Sequence, residues 1–173
     1  MNNWFMLTVV GKDRPGIVAH VTTALYEGGC NLGEASMMRL GGNFTIMLMV
    51  SYKGSASALQ EMIESVTSSL DLHAHIDRIE GELHHHIDPD VRITVFGADR
   101  AGIVAKVTSA LTEAGLNILN LESDVGGSEA RPIYIMHIEG CATEGIGPLQ
   151  SALDVVTLEG VEAKLVPVET LIG

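Results

Sequence analysis

Residues 11–18 combine the residue types that can hold a small anion at the start of a helix. They read Gly-Lys-Asp-Arg-Pro-Gly-Ile-Val and lie between an apolar run and a segment with helical spacing of apolar residues. The first N–H groups of a helix lack partners within it and carry partial positive charge, so they suit a carboxylate or a phosphate. Asp13 is predicted to cap this helix and Pro15 to occupy its first turn. A strand-to-helix turn without a ligand would show the same pattern, and this alternative stays open.

A second copy of this turn occurs at residues 97–104, which read Gly-Ala-Asp-Arg-Ala-Gly-Ile-Val. The similarity continues without gaps, so that residues 11–31 align with residues 97–117. Self-similarity at a fixed offset over this length indicates a duplicated structural unit. Ala101 replaces Pro15 in the second copy, and its turn is therefore predicted to be slightly looser.

Each copy shows the same predicted order of elements, strand-helix-strand-strand-helix-strand. Gly41-Gly42 predicts a two-residue hairpin, and residues 126–130 predict a longer loop at the matching place in the second copy. This order is the split βαβ, or ferredoxin-like, arrangement. The predicted fold class is α+β, with two ferredoxin-like βαββαβ domains, each an antiparallel four-stranded sheet with two helices on one face. The predicted domains are residues 1–80 and 91–173, joined by a polar linker at residues 81–90.

The predicted third strand, residues 43–52, alternates between two faces of the sheet. Met47 and Met49 share the face without helices, and Met6 of the first strand is expected beside them. An open apolar face indicates contact with another sheet or a second chain, although methionine also fills space in cores. The residues expected on the opposite, helix-covered face are Phe44, Ile46, Leu48 and Val50.

The charge balance argues against a nucleic-acid partner. The net charge is −12, and only 10 basic residues are spread over 173 residues. A phosphate backbone is normally met by clustered Lys and Arg, so the acidity favours a protein partner over DNA. The sequence shows no membrane-spanning stretch and no secretory signal. Cys30 and Cys141 occupy unrelated places in the repeats, which predicts reduced thiols in a cytoplasmic protein.

Histidines near the predicted linker suggest a metal site as one alternative. His73 and His75 would project from one face of a strand, and residues 84–86 are three further histidines close to Asp88. Histidine is a good zinc ligand, but a polar linker is a poor frame for a coordination site, and no metal is predicted. The sequence lacks nucleophile-elbow, phosphate-loop and paired-cysteine motifs, so neither an enzyme nor a cofactor is predicted.

The motif Asp-Arg-Pro-Gly-Ile-Val after a short strand, Asn31 after Gly-Gly-Cys, and the order of the elements together resemble the ACT domain, a small regulatory module that commonly binds amino acids. The resemblance covers nearly the whole chain, twice. The tandem pair without an attached enzyme is similar to the family of glycine cleavage system transcriptional repressors. ACT-domain ligands usually lie at a seam between two domains, held by the first strand-to-helix turn and the start of the second strand. At the matching positions the resemblance implies the ligand-binding residues Asp13, Arg14, Pro15, Gly16, Ile17 and Asn31, with Asp99, Arg100, Gly102, Ile103 and Asn117 in the second copy.

The resulting hypothesis is an amino-acid-sensing regulatory protein of the cytoplasm. A small amino acid would shift the population of an arrangement that a regulatory protein partner recognises, in control of amino-acid metabolism or its transcription and without direct DNA binding. A homodimer is expected. The alternative is a ligand-independent interaction or oligomerisation module that pairs strand edges and methionine-rich faces.

Overall fold

The structure, a computed structural model, forms two compact units, residues 1–85 and residues 86–173. Each unit contains its own four-stranded antiparallel sheet and two helices, which confirms the predicted α+β class. The domain boundaries predicted at residues 80 and 91 stay a prediction. The residues that the structure describes are 3–80, 87–98, 102–128, 131–158 and 160–168.

The first unit follows the predicted strand and helix order. Its strands pair in the order β2-β3-β1-β4. Gly41 and Gly42 connect β2 to β3, and both have positive φ, 56° and 76°, as a type I′ hairpin turn requires. The elements are β1 Asn3–Lys12, α1 Ile17–Glu27, β2 Asn31–Leu40, β3 Asn43–Tyr52, α2 Ala56–Leu70 and β4 Leu72–Ile79.

The core of the first unit lies between the sheet and its two helices. Alternate residues of β1 and β3 point inward and meet the apolar stripes of α1 and α2. The predicted inward face of β3 is confirmed, since all four of its members are buried. The buried residues contributed by β1 and the helices are Phe5, Leu7, Val9, Ile17, Val21, Leu25, Leu59 and Ile63.

Helix α1 begins two residues later than predicted. Its N-cap is Gly16, with φ 89°, and Ile17 is the first helical residue, so Pro15 lies outside the helix. A left-handed backbone at the N-cap is accessible to glycine without steric cost, and it turns the chain sharply from β1 into α1. In the second unit, Gly102 has φ 85° and α3 begins at Ile103, whereas Ala101 lies outside the described residues.

The end of α1 positions the start of β2. Cys30 N–H donates to Leu25 O and Gly29 N–H donates to Tyr26 O, both at 3.0 Å. With Gly29 at φ 80°, this is a Schellman motif, which satisfies the last carbonyls of the helix and reverses the chain. Asn31 therefore becomes the first residue of β2 directly after a fixed turn.

Helix α2, in contrast, has a side-chain cap, because Ser55 Oγ accepts a hydrogen bond from Ala58 N–H at 3.2 Å. Ser55→Ala is expected to lower the free energy of unfolding by about 1 kcal/mol, since it leaves this N–H without its acceptor. The fluorescence of Trp4, the single tryptophan, monitors urea unfolding of this unit. Ser57→Ala, two residues along on the exposed side of α2, serves as the control. Equal stability of the two variants would contradict the assignment of the cap.

The second unit has the strand order β6-β7-β5-β8. The long loop predicted at residues 126–130 is wrong, because Gly127 pairs with Pro132 and Ser128 with Arg131, which continues the ladder. Residues 129 and 130 lie outside the described part of the chain. The elements are β5 Val91–Ala98, α3 Ile103–Glu113, β6 Leu116–Ser128, β7 Arg131–Ala142, α4 Ile146–Thr157 and β8 Val161–Pro167.

The predicted linker ends in residues that are joined to the second unit. Asp90 N–H donates to Gly140 O at 3.0 Å, and Val168 N–H donates to Asp90 O at 2.8 Å. The Asp90 carboxylate also accepts from Ala142 N–H at 2.8 Å. Asp90 therefore extends the alignment of β5 with β7 and β8, while residues 81–86 are outside the described ranges.

The helix-free faces of the two sheets carry different side chains. In the first unit, Val10, Met38, Leu40 and Met47 are exposed on this face, and we call them the methionine face. Met49 lies on the same face as Met47, as predicted, but it is only 8% exposed. A Cβ at Gly33 would lie 2.9 Å from the Trp4 ring and 3.2 Å from Met49 Cβ, so these groups crowd together at one end of the face.

The second sheet presents polar pairs on the corresponding face. Arg92 binds Glu139 through two hydrogen bonds of 2.9 and 2.7 Å, and Thr94 Oγ1 lies 3.2 Å from His137 Nδ1. The same face also exposes Phe96, Ile133 and Val166, so polar pairs and apolar side chains stand side by side on it. None of the helices in the described residues is long and apolar enough to cross a bilayer.

Candidate functional site

Asp13 does not cap α1, contrary to the prediction. Its Oδ2 lies 2.6 Å from Arg39 Nη2, and its backbone N–H donates to Gly42 O at 3.1 Å. The reason is the sheet register: Gly11 and Arg39 both pair with Phe44, which brings the end of β2 beside the turn. The carboxylate is held by an ion pair across the sheet and is not directed at the helix.

The starts of α1 and α3 carry no side-chain cap. Arg14, Pro15 and Gly16 are exposed, whereas Ile17 and Ile103 are buried, so the isoleucines offer only their backbone N–H groups at the turn. Gly102 is exposed like Gly16. Asp99 and Arg100, also predicted as ligand-binding residues, lie outside the described residues. In the described part of both turns, the helix-start N–H groups therefore have no side-chain cap.

His20 lies at the first turn and was missed by the sequence analysis. Its Nδ1 is 2.7 Å from Gly16 O, and a Cβ on Gly16 would lie 3.1 Å from the imidazole ring. The repeat places Lys106 at the same position in the second unit, where its N–H donates to Gly102 O. A basic side chain one turn into the helix, at the same place in both copies, was the available signal.

Asn31 and the first turn lie at opposite ends of the first unit. Asn31 pairs with Ser51, which pairs with Trp4, whereas the turn follows Lys12 at the other end of β1. The eight residue steps from Trp4 to Lys12 span about 26 Å in a strand. The physical reason is that α1 runs back along the sheet before β2 begins. A single small ligand therefore cannot contact both predicted elements of the first unit.

The second unit shows the same separation. Asn117 pairs with Cys141, and the adjacent Gly140 pairs with Val91, the first residue of β5. The turn that leads to Gly102 follows the other end of β5. Neither unit by itself therefore brings its predicted asparagine to its predicted turn.

Asn31 lines a cavity of about 280 Å³ together with Gly29, Ser51, Tyr52 and Lys53. Ser51 is only 4% exposed, and Lys53 is exposed at the rim. Within the described residues, no hydrogen bond or ion pair uses the side chains of Asn31, Ser51 or Lys53. Ser51 and Lys53 were not predicted from the sequence, although antiparallel pairing places the end of β3 beside the start of β2.

The corresponding place in the second unit is closed by hydrogen bonds. The partner of Asn117 is Cys141, and the residue two positions later is Thr143, where the first unit has Lys53. Gly115 O accepts from Thr143 N–H at 2.9 Å and from Thr143 Oγ1 at 2.7 Å. Where the first unit has the cationic Lys53, the second unit has Thr143, whose hydrogen bonds to Gly115 O hold the two strands' ends together.

Histidine and cysteine side chains are common ligands of zinc. His75 Nε2 lies 3.1 Å from Asp77 Oδ2, and both side chains are exposed. Among the residues that the structure describes, no three His, Cys, Asp or Glu side chains are placed to hold a metal ion, and residues 84–86 are not among them. Burial raises the pKa of the Cys30 thiol, whose Sγ lies 3.7 Å from Met62 Sδ.

Comparison with known families identifies both units. Family models of the ACT domain match residues 3–77 and residues 91–145. The glycine cleavage system transcriptional repressor of Escherichia coli (strain K12) is 28% identical over 141 residues, covering 79% of this chain and 73% of the relative. UPF0237 protein YjhC of Lactococcus lactis subsp. lactis (strain IL1403) is 38% identical over 72 residues, covering 41% of this chain and 83% of the relative.

Two solved structures share the architecture over nearly the full chain. An unknown protein from Galdieria sulphuraria has a TM-score of 0.80 at 26% identity, and the match covers 98% of this chain and 100% of that one. A candidate glycine cleavage system transcriptional repressor has a TM-score of 0.70 at 22% identity, with 98% and 99% covered, which supports the fold alone. With both units matched by the same family and folded alike, this chain belongs to the ACT-domain proteins and carries two ACT domains in tandem.

Proposed function

We propose that this protein is an amino-acid-responsive regulator of the cytoplasm that acts through a protein partner, in control of amino-acid metabolism or its transcription. A small amino acid binds, and occupancy shifts the population of the conformation that the partner recognises. The named relative in E. coli is a transcriptional repressor, which supports a regulatory role and no catalytic one.

The observation that carries the proposal is the pair of uncapped helix starts. Both α1 and α3 begin at an exposed left-handed glycine without a side-chain cap. A ligand carboxylate is a natural acceptor for the donors left there, because the helix start also carries partial positive charge. A carboxamide oxygen is in turn a natural acceptor for a ligand ammonium group, and Asn31 and Asn117 supply it.

The proposed ligand contacts therefore fall into two groups, at the turns and at the starts of the second strands. Within one unit the two groups lie at opposite ends and therefore contact separate ligand molecules. The proposed residues are Asp13, Arg14, Pro15, Gly16, Ile17 and Asn31, and in the second unit Asp99, Arg100, Gly102, Ile103 and Asn117.

Charge supports a protein partner and argues against contact with DNA. The chain has a net charge of −12 with 10 basic residues. Favourable binding to duplex DNA needs several phosphate contacts from Lys or Arg, and each lost contact weakens binding. We expect no mobility shift of duplex DNA by the purified protein at physiological salt, and a shift would contradict an indirect mode of action.

Isothermal titration calorimetry with the twenty standard amino acids tests the sensor function. We expect saturable heat from at least one of them and no heat from amino-acid amides, which lack the carboxylate. Thermal unfolding in the same solutions gives a second readout, because a ligand that binds only the folded state raises the unfolding temperature. Flat titrations with all twenty and unchanged unfolding temperatures would refute the proposal.

A second candidate function, a ligand-independent homodimerisation module, is favoured by the methionine face. Exposed apolar residues on one sheet face are unusual unless the face is covered, and methionine adapts well to a packed interface. The occupant that fits is the same face of a second copy. The corresponding face of the second unit carries the Arg92–Glu139 pair, and an apolar cover would cost the desolvation of both charges.

Analytical ultracentrifugation tests this second function with a matched pair of variants. In a homodimer that pairs the methionine face of one copy with that of the other, Met47→Lys brings two like charges together. We therefore expect the unaltered protein to be a dimer and the variant to be a monomer. His137 occupies in the second sheet the position that Met47 occupies in the first, since Thr94 pairs with His137 and Thr8 pairs with Met47. His137→Lys is therefore the control. Met47 is 46% exposed, so its substitution leaves the core intact. A dimer of Met47→Lys, or a monomeric unaltered protein, would contradict the pairing.

A further inference from the structure

We propose that the edge strand β4 and the groove between β4 and α2 bind an extended, basic segment of a partner protein, which adds to the first sheet as a further strand. This inference rests on the proposed function, because it names the surface and the chemistry of the partner through which the protein would act. None of the groove residues belongs to the proposed ligand contacts or to the methionine face.

Strand β4 lies at the end of the first sheet and has one neighbouring strand. It pairs with β1 from Leu72, opposite Gly11, to Ile79, opposite Trp4, and no other strand of the described residues pairs with it. A strand in this position presents N–H and C=O groups that have no partner in the sheet, and an extended chain can pair with them. The eight residues of β4 leave room for a segment of similar length.

The corresponding edge strand of the second unit, β8, is better protected against such pairing. It contains Lys164 and ends at Pro167, which has no N–H group, and both residue types blunt the edges of native sheets. Strand β4 contains neither Lys nor Pro, and it pairs with β1 without a bulge along its whole length. The first unit therefore offers the better edge for an added strand.

A groove of about 420 Å³ lies beside this edge, between the first half of α2 and the middle of β4. Small side chains line both of its sides, Ala56 and Ser57 on α2 and Ala74 on β4. Side chains of a strand point alternately to the two faces of its sheet, so every second side chain of an added strand would point to the helix side. The groove is the space that these side chains would enter.

The charge around the groove favours a basic segment. Residues 56–80 contain five carboxylates and a single Lys or Arg, and this residue, Arg78, has its Nε 3.8 Å from Glu80 Oε1. Glu61 lines the groove and is exposed, and its side chain has no partner among the described residues. An ammonium or guanidinium group that enters the groove can therefore pair with Glu61. The same charge disfavours β4 of a second copy, because two acidic surfaces would then meet.

Fluorescence anisotropy of the full chain with a labelled peptide tests the edge. The peptide has eight residues, as β4 does, with lysine and threonine in alternation. We expect saturable binding, and no binding of the same peptide methylated at every backbone nitrogen, which keeps its charges but cannot donate to a sheet. A peptide of alternating glutamate and threonine should not bind. No binding of the lysine peptide, or equal binding of its methylated form, would refute strand addition.

Two variants and a matched control locate the site. Glu61→Lys reverses the charge in the groove, and we expect about tenfold weaker binding of the lysine peptide. Ser57→Phe fills the groove without a change of charge and should also weaken binding, by at least about threefold. Asp154→Lys, on the exposed side of α4, changes the net charge by the same amount as Glu61→Lys and should stay within about twofold at about 0.1 M salt. Equal weakening by the two lysine variants would overturn the site.

Amide hydrogen exchange measured by NMR identifies the strand that the peptide pairs with. We expect the peptide to slow exchange in β4 and to leave β8 unchanged, because new hydrogen bonds protect the amides that form them. Protection in β2 in place of β4 would refute the assignment. Protection of β4 that increases with protein concentration in the absence of peptide would identify a second copy as the occupant and overturn the proposal.

The proposed function and this inference fail through different results. Flat titrations with all twenty amino acids, together with peptide binding at β4, would remove the sensor function and leave the docking edge in place. Saturable heat from an amino acid, without binding of the lysine peptide, would leave the sensor function and refute the edge. Ser57 and Glu61 are both exposed, so their substitution leaves the core intact, and circular dichroism spectra verify that the variants are folded.

Discussion

Gly140→Ala is expected to lower the free energy of unfolding of the second unit by about 3 kcal/mol. Gly140 is buried in β7 between β5 and β6, and it pairs with Val91 and Ile118. A Cβ at this position would lie 2.3 Å from Asn117 O, a backbone atom that cannot rotate away. The strand pair must therefore separate locally, which weakens the ladder and the core beneath it.

Urea unfolding followed by circular dichroism measures this effect. Gly126→Ala in β6 is the matched control, because the nearest atom to its added Cβ is Ile135 Cδ1 at 3.9 Å, an ordinary contact. We expect the control to change stability by less than about 0.5 kcal/mol. A loss below about 1 kcal/mol for Gly140→Ala would mean that β6 moves aside at little cost, contrary to the packing described above.

Leu25→Ala is expected to lower the free energy of unfolding of the first unit by about 3 kcal/mol. Leu25 is 0% exposed and belongs to the same buried cluster as Cys30. Its truncation removes apolar burial and leaves a cavity under the last turn of α1, where the chain reverses toward Asn31. Trp4 fluorescence during urea unfolding reports the loss.

Tyr26→Ala is the control for Leu25→Ala, because it changes the next residue of the same helix turn. Tyr26 is 78% exposed, so its removal is expected to change stability by less than about 0.5 kcal/mol. Similar losses in the two variants would contradict a dominant role of core packing at this turn, because alanine is the best helix former and does not lower helix propensity. The pair thus separates burial from local backbone preference.

The candidate site was only partly predictable from the sequence. The turn, its repetition and Asn31 were recognised because they are local motifs whose chemistry can be inferred from neighbouring residues. The prediction that Asp13 caps α1 was wrong, because its carboxylate instead forms an ion pair with Arg39 of β2. Ser51 and Lys53 were missed because they lie far from Asn31 in the chain and carry no motif of their own.

The sequence by itself determined the duplicated βαββαβ order and the inward face of β3. These features depend on short-range periodicity, which the pleat of a strand and the turn of a helix impose on neighbouring residues. The Gly41-Gly42 hairpin likewise follows from a local need for positive φ.

Only the tertiary structure decided which residues meet at the ends of the sheet. If β2 and β3 paired without interruption from the hairpin onward, Asn31 would pair with Tyr52. A bulge between Leu32 and Ala35 shifts the register by one residue, so Asn31 pairs with Ser51. A bulge inserts one unpaired residue, and its position depends on how the strand fits against its neighbours, here the Trp4 ring over Gly33. Long-range packing therefore fixed the composition of the cavity, and it separated Asn31 from the turn with which the sequence had grouped it.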